Sequence, residues 1–260
     1  LLALLVWAFA YQLYRLVFFS GGITAAGLIQ AVKDTVLFHH EFHLYYLHIM
    51  LLVYALLPLT RLVTAHADKR TVEYLLLLWV LLGVLYPTVK GLWPFTLLYG
   101  IPIQYALNLT YASVGYGLLG WYLHTYARSW KGWLAAAAAG FALVYGGTVV
   151  SSLSQGALNT RFLEGASPGV ALLAAGVCGA AFAVLRNREG TRAARLLSRA
   201  SFCVYLVHVF FLYLLKSLGL WANAGPCALL VPLTAAAILA CSLAVWRVLS
   251  CIPWVRSWLI

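Results

Sequence analysis

Near residue 40 the chain reads HHEFHLYYLHIMLLVYALLPLTR, an apolar run whose first residues carry Glu41 and the histidines His39, His40, His43 and His48. A second apolar run, SFCVYLVHVFFLYLL, holds His208 well inside it. A neutral imidazole can take a proton from a hydroxyl, so a histidine in dry surroundings is a candidate general base. An ionisable group at membrane depth costs about 2.5 kcal/mol or more and marks a site by default. His43 and His48 stand five apart and point to different sides of a helix, so at most one lines any single cavity. His43 is read either as a functional imidazole or as a satisfied interface histidine, His48 as a helix-packing group, and His39 and His40 as solvated. Ser201, Tyr205 and His208 are spaced four and three apart and share one helix face. That stripe must meet protein or water, as an interhelical hydrogen-bond seam or as the lining of a substrate channel. Arg15, four residues from the end of an opening apolar run, either snorkels to the interface or binds an acyl carbonyl or acidic sugar. Gln104, Asn108 and Tyr111 form another stripe, for packing or for an acceptor cleft.

These groups need helices to hold them. The 260 residues are 64% hydrophobic and 9% charged, with 10 Trp and 16 Tyr, far more apolar surface than a soluble core of this size buries. Runs such as YLLLLWVLLGVLY and WLAAAAAGFALVYGG are apolar on all sides and rich in helix formers, which excludes the alternating pattern of a β-barrel. The fold class is therefore an all-α polytopic integral membrane protein, in one domain over 1–260. Eight transmembrane helices are predicted near 2–19, 42–62, 71–89, 103–123, 133–151, 168–186, 200–217 and 227–248. Between the first two, Ile23, Leu28, Val32 and Val36 lie on one face of a segment too polar to span, which predicts an interfacial helix near 23–38. Pro94, Gly100 and Pro102 predict a broken segment near 91–102, with Pro102 opening the next helix. The opening run lacks a basic n-region and a cleavage site, so it reads as a span and not a signal peptide. The five cysteines stand at no metal-ligand spacing and read as small buried hydrophobes; no metal site is predicted. Gly176 and Gly179 permit close helix packing, within the chain or between copies.

The net charge of +11 would suit nucleic acid, but its placement argues for topology instead. With the second-to-third loop in the cytoplasm, that side receives twelve basic residues: Arg61, Lys69, Arg70, Arg128, Lys131, Arg186, Arg188, Arg192, Arg195, Arg199, Arg247 and Arg256. The other face keeps four, Lys33, Lys90, Arg161 and Lys216. This positive-inside split places both termini in the cytoplasm. The run RNREGTRAARLLSR reads as an orientation signal drawn to anionic lipid, or as a holder of donor phosphates.

The stretch FHLYYLHIMLLVYALLPLTR resembles the HLWFLYxLxxLYLLxPxxR segment of the transmembrane acyltransferase type 3 family, particularly its surface-polysaccharide O-acyltransferases. His43 falls on the family His, Tyr45 where Trp is usual, Tyr46 on the Phe position, Leu47 on Leu, Pro58 on Pro and Arg61 on the closing Arg. YGLLGWYL, Tyr116 to Leu123, is similar to the family's FxLGYYL helix, and LSRASFCVYLVH, Leu197 to His208, to its LSxxSFGIYLIH helix. LLVWAFAYQLYRLVF resembles its third helix. The resemblance implies an O-acyltransferase that moves an acyl group, acetyl by expectation, from cytoplasmic acyl-CoA to a hydroxyl of a cell-surface polysaccharide or its lipid-linked precursor, in a bacterial inner membrane. The spacing above and the resemblance together give His43 and His208 as catalytic candidates and Arg15, Tyr45, Tyr46, Arg61, Asn108 and Tyr205 as substrate-binding ones. Acyl-CoA, a glycan acceptor and the bilayer are the implied partners; no cofactor is implied.

One departure accompanies the match. The family's first helix carries an Arg followed about ten residues later by a His, its proposed catalytic base, and no such pair stands here: eleven residues after Arg15 is Ala26, and eleven after Arg61 is Val72. The resemblance therefore leads us to expect that two N-terminal helices are missing from this sequence. Two other readings stay open, a secondary transporter using intramembrane His and Tyr, and a non-catalytic membrane scaffold.

Overall fold

The computed structural model describes residues 1–98, 100, 106–220 and 225–260. Its helices are α1 (Leu2–Phe18), α2 (Ala25–Val36), α3 (Tyr45–His66), α4 (Lys69–Trp79), α5 (Tyr86–Val89), α6 (Leu109–Tyr126), α7 (Trp130–Gln155), α8 (Pro168–Leu185), α9 (Arg192–Ser217), α10 (Cys227–Leu249) and α11 (Pro253–Trp258). A 3₁₀ turn, Phe42–Leu44, leads into α3, and a π turn, Val80–Leu85, joins α4 to α5. No strand occurs among the described residues. Side-chain caps set the starts. Thr24 accepts from the Gly27 N–H, Ser167 from Val170 and Thr191 from Ala194. Asp68 accepts from Thr71, and hydrogen bonds from that residue hold its carboxyl below the usual carboxylate range. Gly156, at φ +65°, closes α7 in the left-handed conformation.

The chain is an all-α, multi-pass membrane protein. Six helical segments among the described residues are long and apolar enough to cross a bilayer: Phe42–His66, Lys69–Val89, Trp130–Gln155, Arg161–Leu185, Arg192–Ser217 and Cys227–Leu249. Of the other two expected spans, the first is the shorter, 17-residue apolar helix α1 and the fourth overlaps α6, which ends three residues beyond it; neither is among those six. The start of that fourth span, with Pro102 and Gln104, lies outside the described residues. Outward Leu229, Leu233 and Val248 are more than half exposed, a surface that hydrocarbon accepts and water would not. The predicted interfacial helix is α2, whose Ile29, Val32 and Val36 remain exposed while Ala31 and Thr35 are buried. Within the expected broken segment, Phe95–Leu98 forms a 3₁₀ turn and Gly100 adopts φ +94°.

Packing divides the chain into two compact units, Leu1–Leu47 with Gly190–Ile260, and His48–Glu189. In the first, Leu4, Ala8 and Tyr11 of α1 recur at helical spacing and pack with Leu44 and with Cys203, Leu206 and Val209 of α9. In the second, α7 and α8 approach closely through small residues. A Cβ on Gly176 would stand 2.3 Å from the Ala137 nitrogen, and one on Gly140 2.3 Å from the Leu173 nitrogen. The Gly176 and Gly179 pair is thus used for packing inside the chain. Trp79 donates to the Ala112 carbonyl at 2.7 Å, and its indole occupies the space a Cβ on Gly115 would need. Pro87 stands just past the π turn. In its register Tyr86 bonds Leu81, so the next carbonyl, Leu82, falls to Pro87, which has no N–H to give; Leu107 supplies one at 3.1 Å instead.

Candidate active site

Three pieces of the first unit build the site. The 3₁₀ turn Phe42–Leu44, closed by a Leu44 N–H to Glu41 carbonyl bond, turns His43 inward until only 6% of it is exposed. Helix α9 presents Tyr205 and His208 to it. Helix α1 presents Tyr11, Gln12 and Arg15, a polar set at i, i+1 and i+4 in an otherwise apolar helix.

The His43 ring lies 5.0 Å from the Tyr11 ring, 5.2 Å from His208 and 5.7 Å from both Tyr205 and Phe42, all edge-on. Tyr11 donates to the Leu206 carbonyl at 2.7 Å and stacks flat on Phe210 at 3.8 Å. That carbonyl also faces the His43 ring, without a hydrogen bond of good geometry. Tyr205 donates to the backbone carbonyl of His43, which ties the turn to α9. Among the described residues His43 itself has no hydrogen-bond partner on either ring nitrogen. A buried polar atom left unpaired costs about 1–3 kcal/mol, a cost that substrate contact would remove.

His208 is arranged differently. Its Nδ1 lies 2.6 Å from the carbonyl of Tyr205, one turn back in its own helix. A carbonyl only accepts, so Nδ1 carries the proton in this bond, and Nε2 is the nitrogen left to face a substrate. The bond is within α9, where the sequence suggested a seam between helices. Ser201, the third member of that stripe, is exposed and donates to Ser198.

At the edge of this group Glu41 is 8% exposed. The Tyr213 hydroxyl donates to its Oε2 at 2.7 Å, and Arg15 Nη1 lies 3.8 Å from its Oε1. Gln12 donates to the His39 carbonyl at 2.7 Å, and His39 Nδ1 lies 3.7 Å from Asp34. Tyr45 and Tyr46 are about half exposed, and the Tyr46 ring meets Tyr205 at 5.4 Å.

The first unit thus gathers His43, His208, Tyr205, Tyr46 and Arg15, with Tyr45 beside them. Arg61 and Asn108 belong to the second unit. Arg61 lines a cleft of about 220 Å³ with Thr60, Thr64 and Trp121. Asn108 caps α6 by accepting from Tyr111 at 3.1 Å. Gln104 lies outside the described residues. Sequence reasoning passed over Tyr11, Gln12 and Tyr213, and it noted Glu41 without assigning it. The polar spacing of Tyr11, Gln12 and Arg15 was the available signal, the same argument that selected Tyr205 and His208. Among the described residues no group of three or more His, Cys, Asp or Glu is placed to hold a metal ion.

A family model described as "Acyltransferase domain" matches residues 1–249. No curated protein and no solved structure matches the chain.

Proposed function

Because the chain belongs to this acyltransferase family, of type 3 as its motifs imply, we propose that it moves an acyl group, acetyl by preference, from acyl-CoA to a hydroxyl of a cell-surface glycan or its lipid-linked precursor. The observation that carries the assignment of the site is the buried, unpartnered imidazole of His43 beside His208. In the reaction the acceptor hydroxyl loses its proton and attacks the thioester carbonyl. The tetrahedral intermediate then expels the CoA thiolate, which takes a proton. His43, neutral and dry, accepts the first proton or orients the hydroxyl that gives it up, and His208 offers Nε2 as a second acceptor. Phe42, 66% exposed and edge-on to His43, is the side chain an incoming acceptor displaces. Tyr45 and Tyr46 offer flat faces for a sugar, and Tyr205 holds the His43 backbone.

In this reading both termini are cytoplasmic, supported by the twelve-to-four division of basic residues. Arg15, Glu41 and His43 then stand toward the outer face, where a surface glycan is met. Cysteines introduced near Asn159 should be labelled by an impermeant reagent in intact cells and those near Arg192 should not; the reverse pattern would overturn this orientation. The chemical test is His43→Ala in the whole membrane protein, assayed for acetyl transfer from acetyl-CoA to a glycan. We expect turnover to fall about 10²-fold or more, the scale of losing one positioned acid–base or oxyanion group. Unchanged turnover would reduce His43 to a packing residue.

A further inference from the structure

Beside the imidazoles, Arg15, Phe19, Glu41, Tyr213, Lys216 and Ser217 line an open cleft of about 540 Å³. Its charges are built asymmetrically. The Glu41 carboxylate is buried and already provided for, with Tyr213 on Oε2 and Arg15 near Oε1. The Arg15 guanidinium, by contrast, is 59% exposed and approaches Glu41 only loosely, at 3.8 Å through Nη1. A guanidinium has five N–H donors in a fixed fork, so most of them remain for a ligand. Tyr213, Lys216 and Ser217 stand at i, i+3 and i+4 on α9 and bring a phenol, an ammonium and a hydroxyl to the same space. Phe19 gives the cleft an apolar wall.

We propose that this cleft binds the oxyanion of an acidic acceptor, a sugar carboxylate or sugar phosphate, with Arg15 as the gripping residue and Glu41 as the group that holds Arg15 in place. A planar fork recognises either oxyanion through paired N–H bonds, and the nearby Lys216 adds charge. The acidic group would be anchored at Arg15 while a neighbouring hydroxyl reaches His43, two residues along the chain from Glu41. This inference rests on the acyl-transfer reading for its purpose but is tested by binding alone.

The experiment is calorimetric titration of the purified full chain in detergent with glucuronate, glucose 1-phosphate, glucose and dihexanoyl phosphatidic acid. We expect the two sugar acids to bind, with affinity falling as salt is added, and glucose not to bind. Arg15→Gln should weaken sugar-acid binding at least tenfold and Lys216→Gln less. Arg15→Gln alone leaves Glu41 buried without its cation, so the pair Arg15→Gln with Glu41→Gln keeps the test open if the single variant misfolds. Equal binding of glucose, sugar-acid binding undiminished in the double variant, or binding of phosphatidic acid alone would overturn the proposal, the last by making the cleft a lipid-headgroup site. A protein that transfers acyl groups to glycans but binds neither sugar acid would sink this inference and leave the transferase standing. One that binds them but transfers nothing would do the opposite.

Discussion

The two units spend their interiors differently. In His48–Glu189 the helices approach most closely where side chain is absent, Gly140 and Gly176 against backbone and Gly115 against the Trp79 indole, with hydrogen bonds such as Trp79 to Ala112 and Tyr122 to Glu73 beside them. In Leu1–Leu47 with Gly190–Ile260 they meet through polar groups that reach far along the chain. Tyr11 donates to Leu206, Tyr205 to His43, Tyr213 to Glu41 and Trp7 to Leu259. Close packing is the less costly way to join helices in a bilayer, since hydrogen bonds between spans add only about 0.6 kcal/mol on average. A unit that instead buries an unpaired imidazole and a carboxylate gains little stability from them. Their burial is what the proposed acyl transfer would explain, and the comparison teaches where in this chain to test it.

The contrast can be broken most decisively at His43. His43→Leu comes close to the imidazole's volume and removes the unpaired nitrogens, so acetyl transfer should drop about 10²-fold or more while thermal stability in detergent stays level or rises. A variant that lost stability together with activity would mean that the imidazole is partnered and structural. Next, Gly176→Ala drives a methyl into backbone at 2.3 Å and should cost about 1–3 kcal/mol of stability by thermal denaturation. Gly117→Ala, inside α6 with nothing within 4 Å of the added Cβ, should leave stability level or raise it by up to about 1 kcal/mol, the helix preference of Ala over Gly. Equal effects at the two glycines would remove the case for close approach in the second unit. A smaller effect, near the lower end of about 1–3 kcal/mol, is expected for Tyr213→Phe, which strips Glu41 Oε2 of its donor. If Tyr213→Phe were as stable as its parent, Glu41 would not depend on that bond.

Much of the architecture could be read from residue order. Long apolar runs predicted the crossing helices, and the stretch from Ile23 to Val36, too polar to cross yet apolar along one side, predicted α2. The segments around His43, Tyr116 and His208 pointed to the family whose model matches residues 1–249. The site was legible only in part. His43, His208, Tyr205 and Arg15 stood out as polar residues in apolar surroundings, whereas Tyr11 and Tyr213, amphipathic and common near membrane boundaries, did not.

What sequence alone determined is the all-α, multi-pass class, because whether a segment can enter hydrocarbon depends on length and transfer free energy, both local properties. It also set which residues share a helix face, as with Ser201, Tyr205 and His208. Tertiary structure decided which faces meet. A polar stripe marks a helix's inward side but not the partner it meets, so the approach of His43 to His208 across 165 positions could not be inferred from periodicity. Nor could the pairing of Arg15 and Tyr213 with Glu41, or the turn of His208 Nδ1 back to its own helix, since each depends on distances that only the packed helices define.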